Sequence, residues 1–225
     1  RGSTTGAALC KHPDVGLISF TGSVATGSKI MGAAAENITK VNLELGGKAP
    51  AIVLADADID LAVNAVKSSR VINSGQVCNC VERVYVDRKV EVEFLSKLAK
   101  EMRATKFGNP LENEDVEYGP LINRPGLEKV SGLVTRATDA GAEIVTGGSV
   151  ADLGSGNYYQ PTVLRNCDHD SEIMRKEIFG PVVPVNVVAD IDEAIARAND
   201  SDYGLTSSIY TRDIGVAMKA CNEIK

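Results

Sequence analysis

Apolar and polar positions along the chain fall into two kinds of run. Short stretches dense in Val, Ile and Leu alternate with longer segments whose apolar positions recur every three to four residues. The first kind predicts strands and the second predicts amphipathic helices. Over the first 48 residues the order is helix (6–12), strand (15–20), helix (25–36) and strand (41–45). Thr21-Gly22-Ser23 reads as the turn that opens the second helix. After Pro50 come a strand at 51–54, a helix at 58–73, a strand at 83–86 and a helix at 90–104. A polar connection from 107 to 123 leads to a helix at 127–140, which Gly141 stops. A strand at 143–146 and a glycine-rich loop at 150–157 follow. Strands at 162–164, 181–188 and 207–210 then alternate with helices at 191–199 and 215–223. Alternation of this kind predicts an α/β fold with a parallel sheet. A domain boundary is expected near residues 46–50, and no internal repeat is present.

Composition narrows the class without choosing a function. A net charge of -6 offers no basic footprint for nucleic acid or an anionic membrane. No apolar run reaches the roughly 18 residues of a membrane span, and residues 1–6 carry no signal-peptide pattern. Five cysteines, an odd number without framework spacing, point to a reducing compartment and so to the cytoplasm. The chain opens in a glycine-rich turn and stops within a helical run, which suggests a piece of a longer polypeptide.

Candidate chemistry concentrates in four places. Asn73-Ser74-Gly75-Gln76-Val77-Cys78-Asn79-Cys80-Val81-Glu82-Arg83 sets Cys78 at a helix-to-strand turn. A thiol there is either a small buried hydrophobe or an activated nucleophile. The tight turn at Gly75-Gln76 and the amide of Asn79 favour the nucleophile. Cys78 and Cys80 make only half a metal site, and His12 and His169 lack ligand spacing, so no metal is expected. Glu44 ends an apolar strand just before Gly46-Gly47. It is either a solvated strand end or a general base with other groups close by. Residues 21–27, Thr21 to Gly27, follow a strand and begin a helix, whose free N–H groups suit a phosphate. In Glu177-Ile178-Phe179-Gly180-Pro181, Phe179 is either core or a platform for a planar ring. Glu177 is either surface or an acceptor for sugar hydroxyls. Nucleophile and carboxylate together suggest covalent catalysis followed by hydrolysis.

These motifs, in this order, resemble the aldehyde dehydrogenase superfamily, and the resemblance covers essentially the whole chain. Leu43-Glu44-Leu45-Gly46-Gly47-Lys48 is similar to its glutamate motif, and Gly75-Gln76-Val77-Cys78, with Arg83 beyond, to its cysteine motif. Phe20-Thr21-Gly22-Ser23 with Gly27 is similar to its cofactor-helix turn, and residues 177–181 to its third signature. Residues 74–83 and 198–210 look like those of bacterial lactaldehyde/glycolaldehyde dehydrogenases. The resemblance implies a parallel-sheet catalytic domain over 47–225 and a truncated, Rossmann-like remnant of the NAD(P)-binding domain over 1–46. It implies NAD as cofactor, with NADP open, and a small aldehyde as substrate. Cys78 would form a thioester, and Glu44 would activate the water that hydrolyses it. Gly22 and Ser23 would meet the cofactor pyrophosphate, Glu177 the nicotinamide ribose and Phe179 the nicotinamide. Asn79 would bond the hydroxyl of a 2-hydroxyaldehyde. The parent would be a homo-oligomer, and the isolated chain would be inactive for want of the upstream cofactor strands. The competing readings are a non-catalytic fragment or assembly module, a semialdehyde substrate, and transfer of the acyl group to coenzyme A.

Overall fold

Buried apolar runs and amphipathic segments are realised as two units, Arg1–Gly46 and Gly47–Lys225, in the computed structural model, which describes residues 1–225. In the small unit a π-helical turn at Gly2–Gly6 leads into α1 (Ala7–Cys10) and β1 (Leu17–Thr21). α2 (Val24–Ala34) follows, and then β2 (Lys40–Glu44), parallel to β1, with Leu17 opposite Lys40 and Thr21 opposite Glu44. Gly27 is buried on α2, and a Cβ there would stand 2.7 Å from Leu45 Cδ2. Glycine therefore sets how closely α2 approaches the end of β2.

The large unit begins with β3 (Pro50–Val53), α3 (Ile59–Val71) and β4 (Arg83–Asp87). It continues through α4 (Glu91–Ala104), α5 (Arg124–Asp139), β5 (Glu143–Thr146), β6 (Val150–Ala151), β7 (Tyr158–Tyr159) and β8 (Thr162–Arg165). It ends with α6 (Glu172–Arg175), β9 (Val182–Val188), α7 (Ile191–Asn199), β10 (Ser208–Tyr210) and α8 (Ile214–Glu223). Six strands form one sheet in the order β10-β3-β4-β9-β8-β5. Side chains alternate across it with the period of two that strands impose. Ala51, Val53, Val84, Val86, Val183 and Val185 pack with α3 and α4. Ile52, Leu54, Tyr85, Leu164 and Val182 pack with residues of α5, α6, α7 and α8 on the other face. The result is a three-layer α/β/α sandwich, and β3 and β4 are buried at every position.

Three local features depart from the sequence reading. The sheet is parallel except at its edge, where β5 runs antiparallel to β8. No helix lies between those two strands, and without a crossover the chain returns antiparallel. Residues 150–157, expected as loop, include β6, whose ladder with β7 makes a short hairpin. α6 is a single turn, too short to leave a periodic signature. No helix is long and apolar enough to cross a membrane.

Candidate active site

Residues with candidate chemistry occur in both units. In the small one, Glu44 stands at the carboxyl end of β2 opposite Thr21, with its carboxylate exposed. Its backbone carbonyl accepts from the Gly22 N–H at 2.9 Å, which pins the turn opening α2 to the end of β2. A Cβ on Gly22 would meet the Phe20 ring at 2.5 Å, so glycine lets that ring lie over the turn. Ser23 caps α2: its Oγ accepts from the Thr26 N–H at 3.3 Å. The first-turn N–H groups before Thr26 have no intrahelical acceptor and face outward. Gly22, Ser23 and Glu44 thus meet at the carboxyl ends of the two strands.

In the large unit the thiol loop connects α3 to β4. Helix α3 stops at Val71, and Asn73 (φ 47°), Ser74 (φ 61°) and Gly75 (φ 74°) are all left-handed. Non-glycine residues rarely adopt such a run, and the surroundings hold it. Ser74 Oγ donates to the Gly119 carbonyl at 2.8 Å, and the Ile122 N–H donates to Gln76 Oε1 at 3.0 Å. Asn73 Nδ2 closes the turn onto the Gln76 carbonyl at 3.1 Å. On the other side Gly47 passes so close beneath Cys78 that a Cβ would collide with the Cys78 carbonyl oxygen.

Cys78 is partly exposed and free, and its backbone N–H finds no acceptor in the chain. Cys80 faces the other way, buried, with its thiol donating to the Val77 carbonyl at 2.9 Å. Burial pushes the Cys80 thiol up, and burial also carries Cys167 to about 12, so both stay protonated. The two cysteines of the motif therefore do not converge on a ligand. Asn79 is exposed, and its carbonyl accepts from Thr206 Oγ1 at 3.2 Å.

The segment before β9 brings in the fourth motif. Glu177 is partly buried, and its Oε1 accepts from the Gly47 N–H at 3.1 Å. Burial raises its carboxyl above the usual range, against the lowering effect of that bond. Phe179 is left-handed (φ 58°) and 36% exposed, so its ring is not part of the core. Lys48, Cys78, Glu177 and Phe179 all lie just before β3, β4 and β9. The site is built at the amino ends of these parallel strands, opposite to the end where open α/β sheets usually bind ligands.

What ties this end together is a buried ion cluster that the motifs did not announce. Lys48, Arg70 and Glu82 are 2%, 0% and 1% exposed. Glu82 Oε2 receives Lys48 Nζ at 2.7 Å, and its Oε1 receives Arg70 Nη1 at 2.8 Å. Burial alone would raise the Glu82 carboxyl, but the two cations and the Ile178 N–H hold it down at about 2. Burial lowers the Lys48 ammonium to about 8, with Glu82 opposing the shift, so the pair is ionised at neutral pH. Arg83 is buried without a carboxylate partner. It donates to the carbonyls of Lys48 (2.8 Å), Arg197 (3.1 Å) and Ala198 (2.7 Å), and to Tyr85 Oη (3.1 Å). Its cation thereby caps the negative carboxyl end of α7. The sequence carries a signal for Arg70: it stands on the apolar stripe Ile59, Val63, Val66 of α3. Arg83 likewise opens β4, a strand buried at every position, and Glu82 stands directly before it.

The sequence and the fold are shared with known proteins. The model of the aldehyde dehydrogenase family matches residues 1–225. Lactaldehyde dehydrogenase of Escherichia coli (strain K12) is 54% identical over 225 residues, which cover 100% of this chain and 47% of that protein. Its crystal structure superposes with a TM-score of 0.97. Human 4-trimethylaminobutyraldehyde dehydrogenase is 42% identical over 229 residues, covering 100% of this chain and 46% of that protein. A betaine aldehyde dehydrogenase from Staphylococcus aureus, crystallised with NAD+, is 38% identical with a TM-score of 0.96, covering 100% of this chain and 45% of that one. The chain spans about half the length of the curated relatives it matches.

Proposed function

The chain belongs to the aldehyde dehydrogenase family, and we propose that its protein oxidises a small 2-hydroxyaldehyde, such as lactaldehyde or glycolaldehyde, to the carboxylate with NAD. The observation that carries this reading is Cys78: a free, partly exposed thiol on a locked loop, beside a second thiol that is turned inward. The similarity to a lactaldehyde dehydrogenase supports the substrate class, and an NAD+ complex in a relative supports the cofactor.

The residues present suit a dinucleotide. An eleven-residue helix capped by Ser23, after Gly22, offers unpaired N–H groups to a pyrophosphate. Glu177 has one oxygen held by Gly47 and keeps the other for a ribose hydroxyl. Phe179 presents an exposed ring to a planar partner. On this reading residues 1–46 belong to the cofactor domain and 47–225 form the catalytic domain. When bound, NAD supplies the oxidant, taking up the hydride that leaves the aldehyde carbon.

Cys78 attacks that carbon as the thiolate, forming the C–S bond. Its own unpaired N–H donates to the oxygen as charge develops there, a contribution of about 3 kcal/mol for a well-placed donor. The oxidised acyl group remains on Cys78 as a thioester. Glu44 accepts a proton from water, which adds to the thioester carbon, and the C–S bond breaks to release carboxylate and thiolate. A hydrolytic base argues for water, rather than coenzyme A, as acceptor.

Pre-steady-state kinetics of the whole protein tests the assignment. Glu44→Gln is expected to release about one NADH per active site and then stall, and Cys78→Ser is expected to release none. Steady turnover at the wild-type rate in either variant would remove the corresponding role.

A further inference from the structure

The buried ion cluster has no part in the chemistry above, yet three charges have been taken out of water to form it. A buried ion pair is seldom more stable than a well-packed apolar replacement, so burial energy alone does not account for it. Its geometry shows what it achieves. The Glu82 carboxylate accepts from Lys48 Nζ (2.7 Å), Arg70 Nη1 (2.8 Å), the Ile178 N–H (2.8 Å) and the Phe179 N–H (3.2 Å). Arg70 uses its remaining contacts on the thiol loop, donating to the carbonyls of Gly75 (2.5 Å) and Val81 (2.7 Å). Those two residues flank Cys78 on either side. Both loops contain left-handed non-glycine residues, Asn73 and Ser74 in one and Phe179 in the other. Each such residue is strained and persists only where its surroundings over-determine it.

We propose that Glu82 is a positioning residue: one buried carboxylate fixes the loop that carries Cys78 and the loop that carries Phe179 in a single arrangement. The proposal rests on the reading that Cys78 is the nucleophile and that Phe179 borders the cofactor. Glutamine does not replace the carboxylate, because two donors converge on each oxygen and its amide nitrogen would face two of the four. Aspartate keeps the charge but is shorter by one carbon–carbon bond, about 1.5 Å, and loses contact with one loop or the other.

Glu82→Gln and Glu82→Asp in the whole protein test this by two readouts. The first is alkylation of Cys78 by iodoacetamide without cofactor, with the exposed Cys221 as internal control. The rate at Cys78 is expected to fall about tenfold in Glu82→Gln and less in Glu82→Asp, with Cys221 unchanged. The second is steady-state kinetics, where KM for NAD is expected to rise about tenfold while KM for the aldehyde moves less than about threefold. A merely structural residue would lower the melting temperature and leave both readouts of the folded enzyme unmoved. A folded variant of either kind with wild-type alkylation and wild-type KM for NAD overturns the proposal. If Glu82→Gln does not fold, Glu82→Asp decides. If neither folds, hydrogen exchange in the wild type decides: the Ile178 and Phe179 amides are expected to exchange slowly, and rapid exchange at both overturns the claim. A wild type that makes no NADH from any aldehyde would defeat the dehydrogenase reading, while the alkylation ratio would still decide whether Glu82 sets the thiol loop.

Discussion

Replacing Gly75 by alanine isolates how tightly the thiol loop is locked. Gly75 has φ 74°, and its Cβ would be driven into the carbonyl oxygen of Gly180 and to 2.6 Å from Arg70 Nη2. Three costs follow. Holding alanine in the left-handed region costs about 1 kcal/mol. Forcing a methyl group into packed backbone costs about 1–3 kcal/mol. Displacing Arg70 weakens its charged hydrogen bond to the Gly75 carbonyl, worth about 1.5–3 kcal/mol. These overlap, because one backbone shift relieves the collision and breaks the bond, so a total of about 4 kcal/mol is expected. Gly141 supplies the control: it is also left-handed, at φ 102°, but nothing lies within 4 Å of its Cβ position. Gly141→Ala therefore isolates the conformational cost of about 1 kcal/mol. Denaturant unfolding of the two variants beside the wild type measures both, and the difference of about 3 kcal/mol is the collision. A Gly75→Ala protein no less stable than Gly141→Ala would refute the reasoning, because residue 180 would then not confine the loop.

Three further outcomes follow from the same contacts. The Glu82 carboxyl is held at about 2 in the folded state against 4.5 ordinarily, chiefly by Lys48 and Arg70, which overcome its burial. Because the folded value is the lower one, its stabilisation is complete above about pH 4.5 and is lost as pH falls toward 2. Melting temperatures across that window should fall more steeply in the wild type than in Glu82→Gln, and parallel curves would contradict the assignment. Arg83→Lys leaves one ammonium to serve carbonyls on two separate segments, and a loss of about 2–3 kcal/mol is expected in thermal unfolding. Wild-type stability would show that the fork is dispensable. The Asn79 side chain is exposed beside Cys78, and Asn79→Ala is expected to lower the preference for lactaldehyde over propionaldehyde by about tenfold in kcat/KM. An unchanged ratio removes Asn79 from substrate recognition.

Much of this was legible along the chain because it is written in short-range patterns. The apolar runs at Ala51–Leu54 and Val182–Val188 and the amphipathic periods of α3, α4 and α5 record burial that each segment carries locally. Glu44, Cys78, Glu177 and Phe179 stand out for similar reasons: each lies at a break in a pattern, near glycines that a turn or close approach demands. Short elements such as α6 and the β6–β7 hairpin left too few residues for a period to register.

The sequence alone determined the class of fold, the order of its elements and the residue types available for chemistry, because periodicity and turn chemistry are properties of neighbours. Only the tertiary structure decided which of those residues meet. Glu82 finds Lys48 across 34 residues, Arg70 across 12 and Ile178 across 96. No local pattern encodes such partners. Charges this deep need partners close at hand, and the packed sheet with its connecting loops supplies four donors to Glu82, leaving only Arg70 Nε of the cluster without an acceptor.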